Sequence, residues 1–475
     1  MKFLKRVGVM VALVAVCLFA YLFLGGIDAE HPAAPDLGLG VQTVKEEDNW
    51  YVALVAVTNL VSLTEDEQRF VSSASSSPRE WWRIHDFASE KDALAKLDAL
   101  IARHGELFKR LGGNVHRRGW WRPPQDVPAD ANPGHRVYED CALITGWVVK
   151  LLDLKIKREL DQGEFMFAFA DMKTFYSLGL AVMRGAEGLV ACESAKGQLR
   201  KTMRRFMPFV TQLDGEQLAV LRQLLDEQAA DMIATSANAY ARQVAAAEAH
   251  FDWLYRRGGV EQMQANLLSA LSSVSGKLGK GVEGVSRAAF KVPNFNRFSF
   301  HFNRSLARYY EESAKTHANL LRGKYDLAIR AQYVLPQNPK WNLPVYPNWL
   351  GRVVFASLAE QGGWSCLLSA ASRFAVSADR VVIAANRYRL DKGEYPRELQ
   401  ALVPDYLDAV PDDPFGDGKL GFNVAQGTVH SVGENGGFDG VVPPEGAKVL
   451  HFTNENGVRR WYTPYIRRLD GKPLE

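Results

Sequence analysis

Residues 369–440 read SAASRFAVSADRVVIAANRYRLDKGEYPRELQALVPDYLDAVPDDPFGDGKLGFNVAQGTVHSVGENGGFDG. Their first third is helical. Leu367, Ala370, Ala371, Phe374, Ala378, Val381, Val382, Ala385 and Tyr388 recur at steps of three and four, which places them on one helix face. Arg373, Ser377, Arg380 and Arg387 fall off that stripe. Gly393 is placed to end the helix in the left-handed conformation, and Pro396 of the Tyr395-Pro396 pair blocks its resumption. RELQALVPDYL predicts a short helix with Leu399, Leu402 and Val403 inward. Pro411 and Pro414 bracket two aspartates, and FNVAQGTVHSVG predicts short strands on either side of Gly427.

Upstream, residues 334–350, VLPQNPKWNLPVYPNWL from Val334, form a proline-rich linker, so the reading places a C-terminal α+β module at 351–475 and an α-helical domain at 46–333. Within that domain, Val137–Leu160, Glu164–Arg184, Gly188–Phe206, a helix capped by Asp214, and Ala229–Arg257 are expected as five helices. DGEQ supplies a capping box for the fourth. Short loops between them imply antiparallel neighbours, hence a bundle or a repeat-like array, although no clean repeat period is present. The Gly/Ser-rich stretch 269–289 reads as an insertion.

At the other end, residues 7–24, VGVMVALVAVCLFAYLFL, are uncharged and about long enough to cross a bilayer as a helix. Lys2, Lys5 and Arg6 precede them, which holds residues 1–6 in the cytoplasm and exports the remainder. Residues 25–45 are then a linker. LGGIDAEHPAA lacks a small-x-small pair close to the apolar run, which favours a retained signal-anchor over a cleaved signal peptide. The expected class is therefore mostly α: an N-terminal transmembrane helix, a helical domain and a small α+β module.

Length and composition are those of a folded chain: 475 residues, 47% hydrophobic and 23% charged, which allows two or three domains. A formal charge of +3 gives no reason for a polyanionic partner. FKVPNFNRFSFHFNRSLARYYEE interleaves aromatics with bases as single-strand binders do, yet inward aromatics and wet arginines on one helix explain it better, so no nucleic-acid partner is expected. Cys141, Cys192 and Cys366 permit at most one intramolecular disulfide, and three small buried side chains is the simpler reading of them.

The order of elements in 369–440 resembles the C-terminal part of the major pseudopilins of type II secretion. The matching residues are Tyr395-Pro396, Asp413-Pro414-Phe415-Gly416, Ser431-Val432-Gly433-Glu434-Asn435-Gly436 and Asp439-Gly440. The chain departs from that family at its start: MKFLKRVGVMV has no prepilin-peptidase site, and the membrane helix is separated from the module by the whole helical domain. The chain as a whole is similar to an uncharacterised group of bacterial membrane-anchored proteins, and Gly163 to Leu254 resembles their helical part. The resemblance implies a bacterial inner-membrane location with the bulk of the chain in the periplasm. It implies no activity.

The same resemblance implies calcium in the loop 431–440, with Glu434, Asn435 and Asp439 as ligands. Glycines there let backbone carbonyls converge as calcium requires. Asx-turn chemistry alone also accounts for Asn435-Gly436 and Asp439-Gly440, and Asp412, Asp413 and Asp417 read as turn formers. No other cofactor is expected. Catalytic signatures are absent from the sequence: no G-x-S-x-G, no H-E-x-x-H and no P-loop. Glu139, Asp140 and Asp153 read as a solvated face beside Lys150, Lys155 and Lys157. The leading expectation is a non-enzymatic envelope scaffold or assembly partner beside a secretion or pilus-like system. The alternatives are an envelope hydrolase with its site between the domains, or a binding module for an envelope ligand.

Overall fold

The computed structural model describes residues 30–37, 44–76, 87, 89–121, 135–256, 301–326, 328–329, 349–432, 451–453, 459–461 and 466–470. The expected transmembrane helix 7–24, most of the linker 334–350 and the loop 433–440 lie outside the described residues. What is described is mostly helical.

Four short helices come first: α1 (Trp50–Thr58), α2 (Glu65–Ser76), α3 (Glu90–Arg103) and α4 (Gly105–Gly112). Asn49 caps α1 by accepting from the Tyr51 amide, and also binds both the amide and the carbonyl of Trp121. One buried side chain thus ties the start of α1 to the segment ending the first unit. Ser89 caps α3 through the Asp92 amide.

The bundle follows: α5 (His135–Ile144), α6 (Trp147–Asp161), α7 (Phe165–Gly185), α8 (Leu189–Phe206), α9 (Gly215–Arg256) and α10 (Phe302–Arg322). Two expectations change here. Val137–Leu160 is broken at Thr145-Gly146, where Gly146 leaves helical geometry and starts α6. The fourth and fifth expected helices are one, because nothing between Gln228 and Ala229 disfavours helix. The capping box is present: Asp214 accepts from the Gln217 amide at 2.8 Å and donates its own amide to the Gln217 side chain at 3.1 Å. α7 is long and apolar enough to span a membrane, but its apolar length from Met172 to Met183 is mostly buried among α6, α8 and α9, as in a core helix.

α11 (Trp349–Lys392) joins the bundle to the C-terminal segment. It packs on α8, α9 and α10, and on its other side against β2 and β5. The expected single stripe is therefore only part of its buried surface. Phe374, Ala378, Val381, Val382 and Ala385 are buried, but so are Ala375, Val376, Ile383 and Ala384. Asp379 and Asn386, seven residues apart, face the sheet: Arg467 donates to Asp379, and Asn386 donates to the Leu469 carbonyl. Arg380 turns to the bundle and pairs with Asp226. Gly393 ends the helix at φ 81°. The Tyr395 hydroxyl then donates to Asn386 at 3.0 Å, which fixes the Tyr-Pro exit against the helix it leaves.

Beyond a 3-10 turn at Leu399–Leu402, β1 (Gly421–Asn423) and β2 (Thr428–His430) form a hairpin around Gly427, φ 58°. After β3 (His451–Thr453) and β4 (Arg459–Trp461), which pair with each other, β5 (Ile466–Arg468) pairs antiparallel with β2. The sheet order β1-β2-β5 makes β1 an edge strand among the described residues. One buried hydrophobic cluster runs from Trp50 through the bundle to Val429 and Leu469.

Candidate functional site

The predicted ligands Glu434, Asn435 and Asp439 lie outside the described residues, but the base of their loop is described. Asp413 sits at its centre, 1% exposed. One carboxylate oxygen accepts from the Phe415 amide at 2.9 Å and from the Ser431 hydroxyl at 2.7 Å; the other accepts from the Val432 amide at 2.8 Å. The first bond closes the Asp-Pro-Phe-Gly turn. The other two bolt that turn to the end of β2, where residues 433–440 begin. Three donors satisfy a buried carboxylate without a cation. Asp413 is thus more than a turn former, whereas Asp412 and Asp417 are exposed and pair with Lys419 and Lys324. The spacing from Asp413 to Ser431 held no signal that the two touch. Tyr325, just past α10, donates its amide to the Pro414 carbonyl and ties the turn to the bundle.

Beside this turn lies an open groove of about 460 Å³. Leu399, Val403, Val410, Leu420, Phe422 and Val424 line it, with Lys419 at its rim. Residues 411–413 pair with 418–420 through the Leu420 amide to the Pro411 carbonyl and the Asp412–Lys419 bridge. That pairing stops where the chain turns away at Val410, which leaves the outer edge of β1 next to the groove. Val424, the first residue of the turn after β1, is 54% exposed.

Ionisable groups elsewhere form seams between helices. Lys196 is fully buried and donates to Glu193 at 3.0 Å, to the Met232 carbonyl at 3.2 Å and to Ser236. Ser236 in turn meets Ser369 at 3.1 Å, so α8, α9 and α11 share one polar contact. Burial pulls the Lys196 ammonium down, but Glu193 more than offsets that and holds it above its usual value. A serine–lysine pair acting as nucleophile and base needs a neutral amine, and this one stays protonated.

Asp153 is buried on α6 between Arg205, Lys201 and Thr202 of α8, at 2.6 to 3.1 Å. Asp140 is buried too and accepts from the Glu187 amide at 3.3 Å. The expected solvated face is corrected for these two: α5 and α6 pack on α8, which takes both carboxylates out of water, and Asp153 finds its charged partners Lys201 and Arg205 there. Burial alone would raise Asp153, yet Arg205 and Lys201 leave it below the ordinary range. Lys155 bridges Glu159 and Asp171 across α6 and α7. Burial, with Asp171 nearby, pushes Glu159 up to about 7 despite Lys155.

Cys141, Cys192 and Cys366 are all free thiols. Burial pushes Cys192 up to about 11, which makes it unreactive at neutral pH. Among the described residues no three His, Cys, Asp or Glu side chains are grouped for a metal ion. No family of known proteins, no curated protein and no solved structure matches the chain.

Proposed function

We propose that the protein is a non-enzymatic scaffold or assembly partner of the bacterial envelope, anchored in the inner membrane by residues 7–24, with its helical domain and C-terminal module in the periplasm. Its setting is a secretion or pilus-like system. The observation that carries this reading is the apolar groove running along the edge strand β1. An edge strand offers unpaired backbone groups, and a neighbouring groove takes the alternate side chains of an added strand. The partner is therefore an extended, apolar segment of an envelope protein. The attachment of α11 to both the bundle and the sheet supports a scaffold, because it makes the groove a rigid feature of the whole molecule.

Location is tested by a reporter that is active only outside the cytoplasm, fused after Glu475. The proposal expects activity, and it expects the chain to sediment with membranes after alkaline extraction. A silent reporter, or mature protein free in the soluble fraction, overturns it.

A further inference from the structure

We propose that the first turn of α7 dips into the surface of the bilayer that carries the anchor and so seats the bundle on the membrane; the inference rests on reading residues 7–24 as that anchor. Residues 165–170 are Phe-Met-Phe-Ala-Phe-Ala, without one polar side chain. Phe165 and Phe169 pack against Phe209 and Phe206, with ring centroids 5.8 and 5.1 Å apart. Met166 and Phe167 turn away from these contacts. They are 73% and 65% exposed, more than any other large hydrophobic among the described residues. Ala170 continues their face, and residues 161–164, which lead into the helix, are all exposed as well, so this end of α7 projects from the bundle. The two aromatic pairs hold the turn in place, which makes the exposed apolar pair a fixed feature of the surface. Such a pair is poorly solvated in water and gains once it enters an apolar phase.

The length of the tether selects lipid as that phase. Six residue steps separate Leu24, where the anchor ends, from Glu30, where the described chain begins, and they span about 20 Å at most. Leu37 then packs on the hydrophobic cluster. Val44 lies against Gly119, and the adjacent Arg118 donates to Ser177 of α7 at 3.1 Å. From Ser177 back to Met166 is eleven residues of helix, about 16 Å. The folded domain is therefore held close to the bilayer, with the apolar tip within reach of it. The anchor already supplies a high effective concentration, so two side chains suffice where a free protein would need more. Residues 161–170 contain no Lys or Arg, and Asp161 and Glu164 flank the tip, so it recognises the acyl region and not anionic headgroups. Thr211, two residues past Phe209, accepts from Arg389 near the end of α11 at 3.1 Å, so seating this end also holds the C-terminal module near the membrane.

The experiment uses the full chain in nanodiscs of phosphatidylcholine, with and without phosphatidylglycerol. A benzophenone amino acid is placed at Phe167, at Phe19 inside the anchor, or at Val190, which is 49% exposed in the first turn of α8, beyond the opposite end of α7. Adducts are identified by mass spectrometry. Lipid adducts are expected at 167 and 19 and not at 190. The adduct at 167 is expected to be indifferent to phosphatidylglycerol and to high salt, and to be lost when Met166→Glu adjoins the probe. Both positions of the tip are exposed, so these variants are expected to melt like the parent. An adduct at 19 without one at 167 overturns the proposal and leaves the anchor standing. No adduct at either position means that the anchor itself has failed, and the proposal falls with it. Equal lipid adducts at 167 and 190, loss at high salt, or a protein adduct in place of lipid at 167 in living cells also overturns it.

Discussion

Replacing Asp413 by alanine strips three donors of their acceptor at once. The Phe415 amide, the Ser431 hydroxyl and the Val432 amide all end on this carboxylate, which is 1% exposed, so water cannot easily replace it. Each buried donor left without a partner costs about 1–3 kcal/mol, giving roughly 3–9 kcal/mol for the three if the turn held its shape. It need not hold, since the loss is capped by the free energy of letting residues 411–432 open locally. The informative assay is native-state hydrogen exchange at the Phe415 and Val432 amides. A loss of about 3 kcal/mol speeds their exchange roughly a hundredfold. Asp413→Asn separates the bonds. Its carbonyl can keep Phe415 and Ser431, but its amide then meets the Val432 amide donor to donor, so Val432 is expected to lose most of its protection and Phe415 little. Parent-like exchange at both amides in Asp413→Ala would refute the claim that this carboxylate bolts the turn to β2.

Val381→Asp places an unpaired charge at a fully buried position of α11 and is expected to destabilise by several kcal/mol in urea unfolding; parent-like unfolding would mean this face is not core. Glu159 is raised from 4.5 to about 7, so its contribution to stability is present below about pH 4.5 and is lost as pH rises through about 7, amounting to about 3 kcal/mol. Glu159→Gln removes that loss, so the variant should gain on the parent between pH 4.5 and 8 in paired denaturation curves; a difference constant with pH contradicts this. The melting curve is expected to be the same in chelator and in millimolar calcium, because only Glu434 and Asp439 supply charged oxygens to the loop. A calcium-dependent rise abolished by Asp439→Ala would make it a calcium site.

The legible parts of this fold are those governed by a few neighbouring residues. The Asp214 capping box, the Gly393 helix end and the Gly427 turn each need only local backbone chemistry. The break at Gly146 is not legible locally, because a single glycine inside an apolar pattern is tolerated as often as it ends a helix. α11 misled more instructively. A one-sided stripe predicts one buried face, yet small residues such as Ala375 and Ala384 fill a second, between bundle and sheet, and Arg380 reads as wet until Asp226 is placed against it. The same limit explains Asp413 and Asp153. Their partners lie far away in sequence, so an aspartate between prolines looks like a turn former, and one among lysines looks solvated.

A scaffold role requires the groove beside β1 to receive a partner's extended segment. A photo-activated cross-linker placed at Val424 in living cells tests this directly, with the same probe at Lys173 on the exposed side of α7 as the comparison. The expected product is a discrete adduct with one envelope protein, identified by mass spectrometry. It should be absent at Lys173 and lost when Val410→Arg fills the groove from its other wall. No adduct at Val424, or one that survives Val410→Arg in a folded variant, would contradict the account.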